Sequence, residues 1–409
     1  MNLEEKIALV RTVVSHENIS VYFQPIVSIE AQGIVGVEAF SRGVDDDGNH
    51  IADASILFDS ILPFQEQQSI ETLCHKRSFT TFKGIEAKFN DMVLFLNVNS
   101  MLHNERSFEA INPIDVLKEF DFSPRTIAFE FDVKQLGQSV PVDLIMQLKK
   151  QGCRISLDSI QADFRSRELV LGLEADFAKM DRSFYDGIDK SKAVADSVQS
   201  AAEGCLRAGV IPMAKGVETE AEAEHLLLAG LGLQQGFFFT HTKSKQRDSF
   251  KDKLKRLYAC HRNAVKNKFE LEQDHFRNYH LLLKNTMYKL EKAEYVDEID
   301  DVLKDVVRKN KGVVSSFVLD ASGKQLSHRY IGWAGDPLGR RLEGCAPGAD
   351  HTYKEYFMYL NSGFEKIAGG IDSSPFCRER CHYLAGCYLK EKRHRGEILV
   401  LEYSDKYAE

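Results

Sequence analysis

Over its first 250 or so residues the chain alternates short apolar runs with longer amphipathic segments, and this order constrains the fold more than any other feature. Candidate strands fall at Val21–Ile26, Val93–Asn97, Ile127–Phe131, Arg154–Asp158, Phe177–Met180 and Ile211–Ala214. Helix-like stretches such as Pro141–Gln151 and Lys190–Ala208 lie between them. Strand-then-helix order implies parallel strands joined by helical crossovers. About 250 residues is the usual size of a (β/α)8 barrel. Asn97, Glu130, Asp158 and Lys179 stand at or near strand ends, and in a barrel those side chains would meet at the carboxyl-terminal mouth. A lone polar residue at a strand end commonly begins a turn; four at corresponding places point to a shared site.

The 409 residues allow two or three domains, and 43% hydrophobic with 28% charged residues describes a globular chain. A net charge of −8 argues against a dedicated partner of duplex nucleic acid. The charged start, Met1-Asn2-Leu3-Glu4-Glu5-Lys6, lacks the apolar core of a signal peptide, and no apolar run is long enough to span a bilayer. These features predict a cytoplasmic chain without membrane insertion. Eight cysteines in such a chain suit free thiols or metal ligands better than disulfides.

The pattern divides into a barrel over residues 1–250, a helical linker over 251–311 and a small α+β domain over 312–409. In the linker, Phe276, Tyr279, Leu283, Met287 and Leu290 recur at spacings of three and four, the stripe of an amphipathic or coiled helix. It packs either on its own domain or against a second chain. Beyond it, Val313–Leu319, the turn Asp320-Ala321-Ser322-Gly323 and a returning strand Lys324–Ser327 read as a hairpin. A helix followed by such a hairpin resembles small sensor domains of the PAS and Cache type.

Phosphodiester cleavage calls for metal-bound water and neutralised phosphate oxygens, and a pair of divalent cations supplies both. Mg²⁺, Mn²⁺ or Ca²⁺ would want oxygen ligands. Ordered motifs across residues 20–242 carry such groups: Phe23-Gln24-Pro25-Ile26, Val37-Glu38-Ala39-Phe40-Ser41-Arg42, Leu96-Asn97-Val98-Asn99, Phe129-Glu130-Phe131-Asp132, Lys179-Met180-Asp181-Arg182, Gly216-Val217-Glu218-Thr219 and Gln235-Gly236-Phe237. Together with Asp158, this series resembles the EAL family, whose barrels hydrolyse the bacterial messenger cyclic di-GMP. The resemblance implies metal ligation by Glu38, Asn97, Glu130 and Asp158, and ligand contacts from Gln24, Glu38, Arg42, Asp181 and Gln235. It also implies Lys179 and Glu218 as members of the catalytic centre, and a homodimer. Phe237–Phe239 reads as barrel strand.

The departures bear on activity. Ser159 stands where the family has a second aspartate, and Lys215 where it has a glutamate. The loop after Asp158 lacks the family's glycines and has Gln161, Asp163 and Arg165 instead. One oxygen-rich cation site could persist, while the second loses two carboxylates and gains an ammonium. Lys215 would then fill the second cation's space and offset phosphate charge itself, or it would point to solvent, or pair with Asp158 or Glu218 and close the pocket. Three readings of function follow. The first is a degenerate domain that binds cyclic di-GMP and signals through the C-terminal domain to an unknown protein partner. The second is a working phosphodiesterase, with Asp181 or Glu218 replacing the lost carboxylates. The third is a scaffold that binds no nucleotide. Separately, Cys345, Cys377, Cys381 and Cys387, with His351 and His382 nearby, could hold Zn²⁺ or an iron–sulfur cluster, or be loop thiols.

Overall fold

A computed structural model describes residues 1–86, 92–103, 111–136, 140–161, 163–240, 250–332, 345–371, 381–389 and 396–404. They form two compact units, Met1–Ala264 and Val265–Glu409.

In the first unit the strands are β1 (Ile19–Ser28), β2 (Gly33–Val44), β3 (His50–Ala52), β4 (Val93–Val98), β5 (Ile127–Asp132), β6 (Arg154–Ile160), β7 (Phe177–Met180), β8 (Ile211–Lys215) and β9 (Leu233–Gln235). Around them lie α1 (Leu3–Ser15), α2 (Ala54–Leu57), α3 (Phe64–Glu86), α4 (Pro113–Lys118), α5 (Val142–Lys150), α6 (Phe164–Gly172), α7 (Arg182–Tyr185), α8 (Lys192–Arg207), α9 (Glu220–Leu228) and α10 (Phe237–Thr240). The strand order β1-β9-β8-β7-β6-β5-β4-β2 closes on itself through β1–β2, an eight-stranded barrel with β3 added beside β2. All six strands expected from the sequence are present. One expectation fails: β1 runs antiparallel to both its neighbours, β2 and β9. Four residues separate β1 from β2, which suffices for an antiparallel hairpin and is far too short for a parallel crossover.

Side chains alternate across a strand, so residues two apart share a face. Ile26, Phe95, Ala128, Phe177 and Met213, from five strands, pack together as an apolar layer inside the barrel. Gly36 makes room for it, since a Cβ there would lie 2.9 Å from the Phe95 ring. Two residues further along β4, β5, β7 and β8 come Asn97, Glu130, Lys179 and Lys215, which places the polar layer above this apolar floor. A larger core between strands and helices, including Phe79, Leu148, Ile155 and Leu226, holds the outer ring in place. Phe237–Phe239 is helical, not strand: at Gly236 a Cβ would strike the Val217 backbone, and the Phe238 N–H turns back to the Val217 carbonyl.

α11 (Phe250–Lys292) begins in the first unit, where Leu254 and Leu257 join the barrel core. In the second unit its later turns, α12 (Val296–Lys309) and α13 (Glu355–Asn361) accompany a sheet of β10 (Val313–Leu319), β11 (Tyr330–Ile331), β12 (Lys366–Ile371), β13 (Cys381–Leu389) and β14 (Gly396–Tyr403), ordered β11-β10-β14-β13-β12. Tyr279, Leu283, Met287 and Leu290 are buried against one sheet face with Leu384, Leu399 and Leu401. The helical stripe therefore packs on its own domain, although Phe276 is exposed. The expected returning strand Lys324–Ser327 shrinks to an isolated bridge from Gln325 to Leu319. Among the described residues no helix is long and apolar enough to cross a membrane.

Candidate functional site

At the barrel mouth five charged side chains form one cluster. The Lys179 ammonium is fully buried, 2.9 Å from Glu38 Oε2 and 2.5 Å from Glu130 Oε2, and lies 4.9 Å from the centre of the Phe95 ring. Lys215 Nζ donates to Asp158 Oδ2 at 2.5 Å and lies 3.9 Å from Glu38 Oε1. Asn97 Nδ2 donates to Glu38 Oε1 at 3.1 Å and Gln235 Nε2 to Glu38 Oε2 at 2.8 Å. Gln235 Nε2 also reaches Gln24 Oε1 at 2.9 Å, and Ser156 Oγ donates to Glu130 Oε2 at 3.2 Å. Glu38 is thus the hub of the cluster.

The electrostatics follow from these contacts. Three carboxyl groups face two ammoniums. Burial alone would raise the Glu38 pKa, but Lys179 and then Lys215 overcome it and hold Glu38 down to about 2. Burial, with the Glu38 charge beside it, pushes Glu130 up to about 8. Burial opposes the charge of Lys215, and the carboxylates of Glu38 and Asp158 outweigh it, so its pKa rises.

The donor set is oxygen-rich, and the buried atoms Glu130 Oε1 and Asp158 Oδ1 have no hydrogen-bond partner among the described residues. Those features would suit one hard divalent cation, and Glu38, Asn97, Glu130 and Asp158 are the groups that would hold it. A bound ion would supply charge neutralisation for a phosphate oxygen. As the chain stands, ammoniums hold these carboxylates, and among the described residues no three acidic, imidazole or thiol groups form a ready cation shell.

Three other expected site residues make contacts outside this cluster. Asp181 caps α7, accepting from Ser183 N at 3.0 Å and Ser183 Oγ at 2.8 Å. The Glu218 side chain is half-exposed and paired with Arg182. Arg42 Nε stands 3.5 Å from Asp53 Oδ1 and lines a cleft of about 770 Å³ together with Glu38, Asn97 and Lys215. Ser159 is buried at a bulge in β6, with φ 61°. That left-handed conformation is tolerated far better by Asp or Asn than by most side chains. In the loop after β6, Asp163 caps α6 through Ser166 N.

The C-terminal metal reading does not hold for Cys381 and Cys387. Both sit on β13 six residues apart, a separation of about 20 Å along a strand, so they cannot share one ion. His351 bonds Tyr356 Oη at 2.7 Å and Gln325 Oε1 at 3.1 Å inside the domain. Cys377 lies outside the described residues.

The EAL domain family model matches residues 8–242. The chain belongs to the EAL-domain family. Among curated relatives of this EAL protein, the probable cyclic di-GMP phosphodiesterase PdeB of Escherichia coli is 24% identical over 245 residues, covering 57% of this chain and 44% of PdeB. YkuI of Bacillus subtilis, an uncharacterised EAL-domain protein, is 20% identical over 317 residues, 75% of each chain. The chain spans only about half the length of PdeB and of the Pseudomonas aeruginosa cyclic di-GMP phosphodiesterase RocR, at 44% and 57%. The crystal structure of YkuI with c-di-GMP and calcium matches 97% of this chain and 98% of its own, with a TM-score of 0.67 at 16% identity. The Xanthomonas citri FimX EAL domain, in complex with c-diGMP, covers 61% of this chain and 97% of its own, with a TM-score of 0.52 at 16% identity. At such identities the likeness is one of fold.

Proposed function

We propose that this EAL domain binds cyclic di-GMP with at most one divalent cation, does not hydrolyse it efficiently, and couples occupancy to its C-terminal domain. The observation that carries the reading is Lys215, whose ammonium sits 2.5 Å from Asp158 and 3.9 Å from Glu38. An ammonium there supplies the positive charge that a phosphate needs, as lysine does elsewhere. It cannot lower the pKa of a bound water as a metal does. Ligand binding can therefore outlive hydrolysis.

A working phosphodiesterase is the second reading. The phosphodiesterase relatives PdeB and RocR favour it, as do the unpartnered oxygens of Glu130 and Asp158. It needs substitute carboxylates, and both candidates are engaged elsewhere: Asp181 caps α7 and Glu218 pairs with Arg182.

Titration calorimetry with cyclic di-GMP tests the proposal, run in Ca²⁺ and again in EDTA. Micromolar or tighter binding in Ca²⁺ supports a receptor, and weaker binding in EDTA supports the single cation. An absence of heat in both overturns it and leaves the scaffold reading.

A further inference from the structure

The β2–β4 ladder ends at Glu38 and Phe95, whereas β4 continues beside β5 to Val98. The wall of the barrel thus parts two residues before Asn97, on the side facing α3. Three α3 side chains four residues apart, Gln67, Glu71 and His75, share one face of that helix, and each bonds the segment that carries or follows Asn97. His75 Nε2 lies 2.9 Å from the Asn97 carbonyl oxygen. Glu71 Oε1 accepts from Asn99 N at 2.6 Å, and Gln67 Oε1 accepts from Asn99 Nδ2 at 2.9 Å. Glu71 Oε2 also stands 3.4 Å from His103 Nε2. Glu71 and His75 are buried and line the same cleft as Glu38 and Asn97.

We infer that His75, backed by Glu71 and Gln67, is a positioning residue for Asn97, replacing the strand partner that β2 withdraws. The Asn97 carbonyl is an acceptor only, so His75 Nε2 carries the proton of that bond. The ring is held edge-on to Phe129 at 6.3 Å, which fixes its plane. With its backbone pinned, Asn97 keeps its side chain on Glu38, and Glu38 in turn holds Lys179. Partners behind a ligating residue commonly matter almost as much as the residue itself. The inference rests on the reading of Asn97 as a contact for cation or nucleotide.

The test compares His75→Leu, His75→Gln and Leu226→Ala, each made in the 409-residue chain, with the unmodified chain. Gln keeps a donor at similar reach, and Leu226 is a buried residue of α9 that bonds nothing in the Asn97 segment. We expect His75→Leu to bind cyclic di-GMP roughly ten- to a hundredfold more weakly. His75→Gln should bind much as the original chain does. Leu226→Ala should lower the melting temperature without moving affinity. Equal affinity for His75→Leu, or a loss in His75→Gln as large as in His75→Leu, overturns the inference. A second readout needs no nucleotide: the Asn97 side-chain amide resonances should shift in His75→Leu and stay in His75→Gln. If the unmodified chain binds nothing, the proposed function fails, and these resonances alone decide whether His75 positions Asn97; unmoved resonances in His75→Leu then refute it.

Discussion

Replacing Ser159 by Asp and Lys215 by Glu together should convert the site into one that takes a second divalent cation. Lys215 Nζ now stands 2.5 Å from Asp158 Oδ2 and 3.9 Å from Glu38 Oε1, so an incoming ion must displace it from both. Unit charges about 4 Å apart attract by about 4 kcal/mol at an effective dielectric near 20. The Lys215 side chain is 27% exposed, and solvent screening trims that figure. A residual effect of about 3 kcal/mol corresponds to roughly a hundredfold in affinity. Ser159 already has φ 61°, a conformation that aspartate tolerates better than most side chains do, so the new carboxylate fits the existing backbone. The assay is calorimetry with Mn²⁺ on the original chain, on Ser159→Asp alone and on the double variant. We expect a second ion, or tighter binding by about two orders of magnitude, only when Lys215 is gone. Unchanged stoichiometry and affinity in the double variant would refute the reasoning.

Three further outcomes follow from the same contacts. Lys179→Met leaves Glu38 and Glu130 buried without their ammonium and should cost about 3–5 kcal/mol, read as a lower denaturation midpoint. Glu130, raised to about 8 from an ordinary 4.5, stabilises the fold fully at low pH and loses that contribution as pH climbs towards 8; Glu130→Gln should flatten the fall in melting temperature between pH 5 and 8, and an unchanged slope would count against the assignment. Leu283, fully buried against the C-terminal sheet, should cost about 2–5 kcal/mol as Leu283→Ala, seen in the unfolding of that unit and absent if the helical stripe served a second chain instead.

The strands were legible because each is a short apolar run, and four of them carry a polar residue at or near the mouth-facing end, as at Asn97 and Lys179. The reversed direction of β1 was also written in the chain, in the four residues between Ser28 and Gly33, which leave no room for a crossover helix. The contact of Lys215 with Asp158 joins residues 57 apart in sequence, and only the closed barrel decides which carboxylate that lysine meets. The α3 residues escaped sequence reading, although Gln67, Glu71 and His75 at intervals of four are a visible polar row. Their meaning depends on β2 parting from β4, which no local pattern encodes. The cysteine spacing misled because strand geometry, not proximity in sequence, separates Cys381 from Cys387.

The most direct test of the central claim is to incubate the purified chain with cyclic di-GMP and Mg²⁺ or Mn²⁺ and chromatograph the nucleotide. With the Lys215 ammonium held on Asp158, we expect the cyclic dinucleotide to be recovered intact under conditions where it binds. Efficient conversion to the linear dinucleotide would contradict it.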